Sequence, residues 1–378
     1  MYYSAPGKII LFGEHAVVYG KTAIAGAIDL RAYVKIENNN YKNVSIELND
    51  FNVVKQWSID DFYDTIKIIK SIKNIKNLDT DKEIDELRVI VEKFAQNKDI
   101  GPQKHDAAFE AFCYFMIRLV IKENIKIKSK KISIKLNLPS SVGLGSSGAY
   151  CSSLIYGLFN YYNISFKMTD VVNYGTFGEY FIHGKSSGID VSLSTYGNIC
   201  CYKYGNDIEK INGCSEKEIS IIIVNSKVER NTKMLVNEVR KKFNEDNELI
   251  GSIFEYIDEI AIEGGKILNS LDDDDDLEEK LKILSELCFK NNVLLLNLGL
   301  GHEETTKICS ILAKYNITGK ITGAGGGGCV FGLDLKKLQQ SKKEELCGVL
   351  KKFGYDVWFC KLGAQGVMKH DTIPDIFK

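Results

Sequence analysis

Alternation of apolar and polar positions marks the first elements. Residues 30–37 (LRAYVKIE) and 43–48 (NVSIEL) repeat with period two, as strands buried on one face do, so the chain opens sheet-rich. From Thr80 the period lengthens. Ile84, Leu87, Val89, Ile90, Val91 and Phe94 recur at helical spacing, and residues 107–121 predict a second, mostly buried helix. Residues 131–138 (KISIKLNL) alternate again and end at Pro139, where a Gly/Ser turn opens a helix near Ser147. The next helix is expected to start after Thr169 and Asp170, both good capping residues, and to run through Gly178 and Glu179. Residues 219–224 (ISIIIV) form a continuous apolar strand, helices dominate from there to about Tyr315, and strands return at 328–333 and 356–362. The five aspartates at 272–276 repel one another, which suits a solvated loop and not a metal site.

This order predicts an α+β protein. A chain of 378 residues exceeds the size at which single hydrophobic cores stop growing, so two domains are expected, divided as 1–210 and 211–378. The uncharged stretch 136–166 contains Pro139, several glycines and serines, Asn160 and Asn163, and reads as strand, turn and buried helix, not as a membrane span. The apolar run at 9–12 is too short for a secretory segment. With 49 basic against 50 acidic residues there is no overall field to draw the chain onto nucleic acid or an anionic membrane, so any anionic ligand must be held locally. Ten cysteines without a C-x-x-C pair and five scattered histidines indicate neither a disulfide framework nor a zinc site, and fit reduced thiols in a cytoplasmic protein.

Glycine-rich segments carry the candidate chemistry. Gly20-Lys21-Thr22 resembles the end of a P-loop, but the required first glycine would fall at His15. Gly143-Leu144-Gly145-Ser146-Ser147-Gly148 matches G-x-G-x-x-G after a strand. The dinucleotide-binding alternative lacks a strand-end acid about 20 residues on, since Asp170 lies in a helix cap. Closely spaced glycines before a helix N-terminus suit an anion, although for this segment in isolation a tight turn without a ligand is the preferred account. Thr322-Gly323-Ala324-Gly325-Gly326-Gly327-Gly328 lies between apolar residues, which places it inside a folded unit where close backbone approach matters.

Taken together, Ala5 to Gly20 (APGKIILFGEHAVVYG), Pro139 to Ser147 (PSSVGLGSS) and Thr322 to Gly328 (TGAGGGG) resemble the three signature motifs of the GHMP kinases, in detail those of the mevalonate kinase branch. Gly178-Glu179, the segment His183 to Asp190 (HGKSSGID) and Asn225 to Thr232 (NSKVERNT) extend the resemblance, which runs in family order from residue 5 to residue 332. It implies an N-terminal α/β domain like ribosomal protein S5 domain 2, a ferredoxin-like C-terminal domain, and an active site between them. By this resemblance ATP lies on Gly143, Leu144, Gly145, Ser146 and Ser147, with Mg2+ held by Ser147 and Glu179. Asp190 is the base and Lys8 stands beside it. His15, Glu14 and Thr322 face the substrate, mevalonate. A homodimer is implied, and phosphomevalonate kinase is the nearest alternative. The Ala16-Val17-Val18-Tyr19 continuation differs from the T-D-Y of galactokinases. Gly148 stands where the family usually has alanine, and is expected to loosen the helix start slightly.

Overall fold

The computed structural model describes residues 1–72, 75, 78, 80–96, 105–139, 142–184, 186–203, 208–212, 219–273, 276–335 and 337–378. Its strands are β1 (Tyr2–Phe12), β2 (Thr22–Asn38), β3 (Asn43–Leu48), β4 (Val53–Ser58), β5 (Lys130–Leu136), β6 (Ile199–Lys203), β7 (Glu209–Ile211), β8 (Ile219–Asn225), β9 (Gly319–Ile321), β10 (Cys329–Leu333), β11 (Asp356–Leu362) and β12 (Met368–His370). The helices are α1 (Ile59–Lys70), α2 (Asp81–Ala95), α3 (Asp106–Lys122), α4 (Ser146–Tyr161), α5 (Met168–His183), α6 (Ile189–Tyr196), α7 (Thr232–Glu245), α8 (Asn247–Asn269), α9 (Leu277–Asn297), α10 (Glu303–Ala313) and α11 (Gln340–Lys352).

One mixed sheet carries the chain from end to end in the order β4-β3-β5-β2-β11-β8-β10-β9. β1 pairs with β2 and β12, and β6 pairs with β2 and β7. The central crossing is narrow: β2 and β11 share the single register pair Ile28↔Leu362. The chain end returns to the beginning, where Arg31 donates to Ser4 Oγ at 2.7 Å, Gln365 O at 2.8 Å and Gly366 O at 2.6 Å. β7 spans the expected division at 210/211, part of which (204–207 and 213–218) lies outside the described residues.

Under β2–β5, helices α1 to α5 cover a core rich in aromatics, with Trp57, Phe62, Phe109 and Phe112 buried together. Each such burial contributes about 1.5–3 kcal/mol. The second half has two cores, one between α8, α9 and the sheet and one around α10 and α11. α8 approaches β1 closely because Gly264 has no side chain; a Cβ there would lie 2.6 Å from the Phe12 ring.

The expected strands at 30–37, 43–48, 131–138, 219–224, 328–333 and 356–362 fall on β2, β3, β5, β8, β10 and β11. β1 was not expected as a strand, because it is buried on both faces and shows no alternation. α5 starts at Met168, one residue before the expected cap, and Asp170 acts from its first turn by accepting from Lys167 N at 2.7 Å. Of the aspartate run, 274–275 lie outside the described residues and Asp276 begins α9 with φ +58°.

Candidate active site

β1 delivers Lys8. A bulge between Pro6 and Gly7 turns the strand, and Gly7 then meets the glycine turn so closely that a Cβ would lie 2.7 Å from Leu144 O. Lys8 N donates to that same carbonyl at 2.9 Å, which fixes β1 against the turn by backbone alone. The turn needs its glycines for room. A Cβ at Gly145, where φ is +70°, would lie 2.8 Å from Lys8 Cγ, and one at Gly143 would strike Arg230 Nη2 at 1.6 Å. α4 opens at once from Gly145, so its first free N–H groups face the cleft beside Ser146 and Ser147. Leu144 itself is buried, and Ser140 and Ser141 of the same motif lie outside the described residues.

α6 delivers Asp190 in its first turn, after Gly188 at φ +75°. The Asp190 carboxylate meets Lys8 Nζ at 3.1 Å, with the two side chains 31% and 10% exposed. Gly148 has a different role from the expected loosening of a helix. A Cβ there would lie 2.8 Å from the Asp190 carbonyl carbon and 3.0 Å from its Cβ, so the missing methyl lets α4 and α6 meet.

α5 adds Glu179, buried beside this pair. Ser147 Oγ donates to Glu179 Oε1 and Ser186 Oγ to Oε2, both at 2.7 Å. Burial and the neighbouring Asp190 charge push the Glu179 carboxyl up to about 7, while the two serine hydrogen bonds and Lys8 oppose the rise. His183 Nε2 lies 3.0 Å from Ser147 Oγ, and with that hydroxyl donating to Glu179 the ring must supply an N–H. Burial lowers the His183 pKa against the pull of Asp190. Lys185 lies outside the described residues.

The remaining candidates sit at the join with the glycine-rich run. Thr322 Oγ1 donates to Ile10 O at 3.0 Å and accepts from Ile10 N at 3.2 Å. Its hydroxyl therefore clips this run to β1. His15 Nε2 donates to Ala324 O at 3.0 Å, and burial lowers its pKa. Glu14 is fully buried in an ion pair with Lys320, and its Oε2 has no hydrogen-bond partner among the described residues.

Of the expected site residues, all except Leu144, Glu179 and Thr322 line one cleft of about 1120 Å³. Its far arm, between Leu48, Phe51, Ile134, Leu136 and Tyr150, is largely apolar, with Asp50 and His105 also in its lining. The near arm carries Lys8, Arg230 and Lys233. An apolar slot leading to a glycine turn, a helix N-terminus and cations is suited to a nucleotide. Ser147 and Glu179 are hard oxygen donors 2.7 Å apart beside a second carboxylate, a donor set that fits Mg2+ if nucleotide oxygens and water complete it.

The GHMP kinases N terminal domain matches residues 110–198, and the GHMP kinases C terminal domain matches residues 271–352. A mevalonate kinase of Mus musculus is 30% identical, over 98% of this chain and 95% of its own. The chain belongs to the mevalonate kinase family of GHMP kinases. A mevalonate kinase of Arabidopsis thaliana is 33% identical over 87% of this chain and 89% of its own. The crystal structure of the Methanococcus jannaschii mevalonate kinase matches with a TM-score of 0.71 at 28% identity, covering 96% of this chain and 98% of that one. The α+β fold with two GHMP domains is thus that of the family, and the chain is a kinase that uses ATP. No helix among the described residues is long and apolar enough to cross a membrane.

Three residues of this mevalonate kinase family site had no role in the sequence-based expectation: Arg230, His183 and Lys320. Arg230 packs on Gly143 and donates to Thr322 O at 3.2 Å, so it bridges the two glycine-rich segments just before α7. Only its place in the family-like stretch 225–232 could have drawn attention to it.

Proposed function

We propose that this chain transfers the γ-phosphoryl group of ATP to the 5-hydroxyl of mevalonate, giving 5-phosphomevalonate and ADP. The observation that carries the proposal is the Lys8–Asp190 pair, 3.1 Å apart and open to the cleft directly beside the glycine turn. ATP phosphates lie along Gly143, Leu144, Gly145, Ser146 and Ser147, held by backbone N–H groups and the start of α4. The base lies in the apolar arm. Asp190 takes the proton from the 5-hydroxyl as that oxygen bonds to the γ-phosphorus. The bond to the β,γ-bridging oxygen breaks, and ADP leaves with the electron pair. Lys8, 3.1 Å from the Asp190 carboxylate, stabilises the developing alkoxide. Arg230, fixed between the two glycine-rich segments, adds positive charge where the phosphates crowd.

Ser147 and Glu179 hold Mg2+, which when bound neutralises phosphate oxygens. His15 orients the substrate, and Thr322 keeps the glycine-rich run on β1. A division into domains at 210/211, a homodimer and a cytoplasmic location complete the proposal; they are supported by the family resemblance and by ordinary charge and cysteine usage. ADP release measured across mevalonate, phosphomevalonate, homoserine and galactose tests it. Turnover should require mevalonate and Mg2+ together. Equal or faster turnover with phosphomevalonate would replace the proposal with its nearest alternative.

A further inference from the structure

Lys320 is an unusual lysine. It lies on β9 with no exposed surface, its ammonium paired with Glu14 Oε1, donating also to Ile321 O at 3.0 Å and standing 5.5 Å from the Phe331 ring. Its partner is equally sealed: burial pushes the Glu14 carboxyl up while the Lys320 ammonium pulls it back. Two buried charges meet here across 306 residues of sequence, at the junction of β1's turn and the run that starts at Thr322. Such a pair is weak evidence for stability, since well-packed apolar residues often replace it without loss. Its role is geometric.

The backbone supplies it. His15, the residue after Glu14, sits at φ 62° and ψ −47°, a region that residues with a Cβ rarely occupy. A strained turn persists only where its surroundings hold it. Here Glu14 is held by Lys320, and the His15 ring is held by Ala324 O at 3.0 Å. Thr322 clips the same run to Ile10, two residues from Lys8 on β1. All three contacts join the strand that carries Lys8 to the segment that begins at β9.

We propose that Lys320 is a positioning residue: by holding Glu14 it keeps the strained His15 turn, and with it the end of β1, in register with the run from 322 to 328. The kinetic part of this inference rests on the function proposed above. Lys320 touches neither nucleotide nor substrate. It acts through Glu14.

The test compares Lys320→Met with the double variant Glu14→Gln/Lys320→Met, measuring melting temperature, kcat, KM for ATP and mevalonate, and amide exchange at residues 13–16 and 322–328. Lys320→Met alone leaves a buried carboxylate without its cation and is expected to melt early. The double variant removes both charges and is expected to regain the parent's melting temperature. Its kcat should nevertheless stay lower by on the order of 10², as misplacement of reacting groups by about an ångström predicts. KM for ATP should stay near the parent's, and exchange at both segments should remain faster. A double variant that recovers kcat along with its melting temperature, or whose exchange matches the parent's, overturns the proposal. If even the parent fails to phosphorylate mevalonate, the functional proposal falls, while the exchange comparison still decides whether Lys320 holds the turn.

Discussion

Two lysine–carboxylate pairs hang from the first strand and its turn, and they differ in access to water. Lys8 and Asp190 are 10% and 31% exposed and face the cleft, whereas Lys320 and Glu14 are both fully buried. Water reaches the first pair through Asp190 and screens it more than it can screen the sealed one, so its contribution to stability is the smaller. That weakness is useful. A substrate hydroxyl can displace water beside Asp190, whose carboxylate faces the cleft. The sealed pair has no such freedom, since loss of one partner strands the other at a cost of about 3–5 kcal/mol. Under the proposed function the pair with solvent contact serves reaction, and the sealed pair serves geometry.

The comparison breaks first at Asp190. Asp190→Asn keeps the size of the side chain but removes the proton acceptor, so kcat should fall by on the order of 10² to 10⁴. Its melting temperature should stay within about 3 °C of the parent's, because only an open pair is lost. Mant-ATP titration should show nucleotide binding largely intact. A variant that keeps near-parental turnover would remove Asp190 from the reaction. One that melts far below the parent would show that the Lys8–Asp190 pair is structural and not merely a solvent-screened contact.

The two pairs were also unequally legible in the sequence. Lys8, Asp190, Glu179 and the glycine turn stand in family-like motifs, and the structure brings them to one place, although each taken alone has a duller account as a surface lysine, a turn aspartate or a helix glutamate. Lys320 offered no signal. A lysine two residues before a glycine-rich run looks solvated, and nothing local points to a carboxylate 306 residues away. The same limit applies to the strands. β3 and β11 were legible because one face or a bounded run gives them a pattern, whereas β1, buried on both faces and interrupted by Pro6 and Gly7, has none. Gly148 was legible only as a departure, because its meaning depends on Asp190 packing against it.

Glu179 sharpens the comparison at the edge of the open pair. It is buried like Glu14, yet its oxygens are held by serine hydroxyls and not by a lysine. Hydroxyls can turn toward other partners, so this carboxylate remains available to a cation. Glu179→Gln weakens a hard oxygen donor and should raise the Mg2+ concentration needed for half-maximal turnover by about tenfold, with excess metal restoring part of the rate. Asp190→Asn should not recover in the same titration. Identical responses of the two variants to metal would mean that the roles of ligand and base have been assigned wrongly.

The smallest expected effect belongs to Glu110, a buried acid that is not sealed in an ion pair among the described residues and does not line the cleft. Its nearby cations are committed elsewhere: Lys55 pairs with Asp106 and donates to Ala95 O at 3.1 Å, and Arg88 pairs with Glu92 at 2.6 Å. Burial, with the charges of Glu92 and Asp106, pushes the Glu110 carboxyl up to about 7, against the weaker pull of Arg88 and Lys55. An unfolded glutamate titrates near 4.3, so between these two values the folded chain holds the proton more tightly than the unfolded one. Stability from this group is therefore fully present below the unfolded value and declines as pH rises toward 7. Above both values the loss is complete. Glu110→Gln removes the ionisation and keeps the shape, so it should melt about 2 °C above the parent at pH 8 and show a much smaller gain at pH 5. Titrations common to both proteins cancel in that difference. A gain of the same size at both pH values would mean that packing and not charge sets it, and a larger gain at pH 5 would mean that the Glu110 carboxyl has a folded pKa below its unfolded one, with Lys55 or Arg88 acting as its true partner.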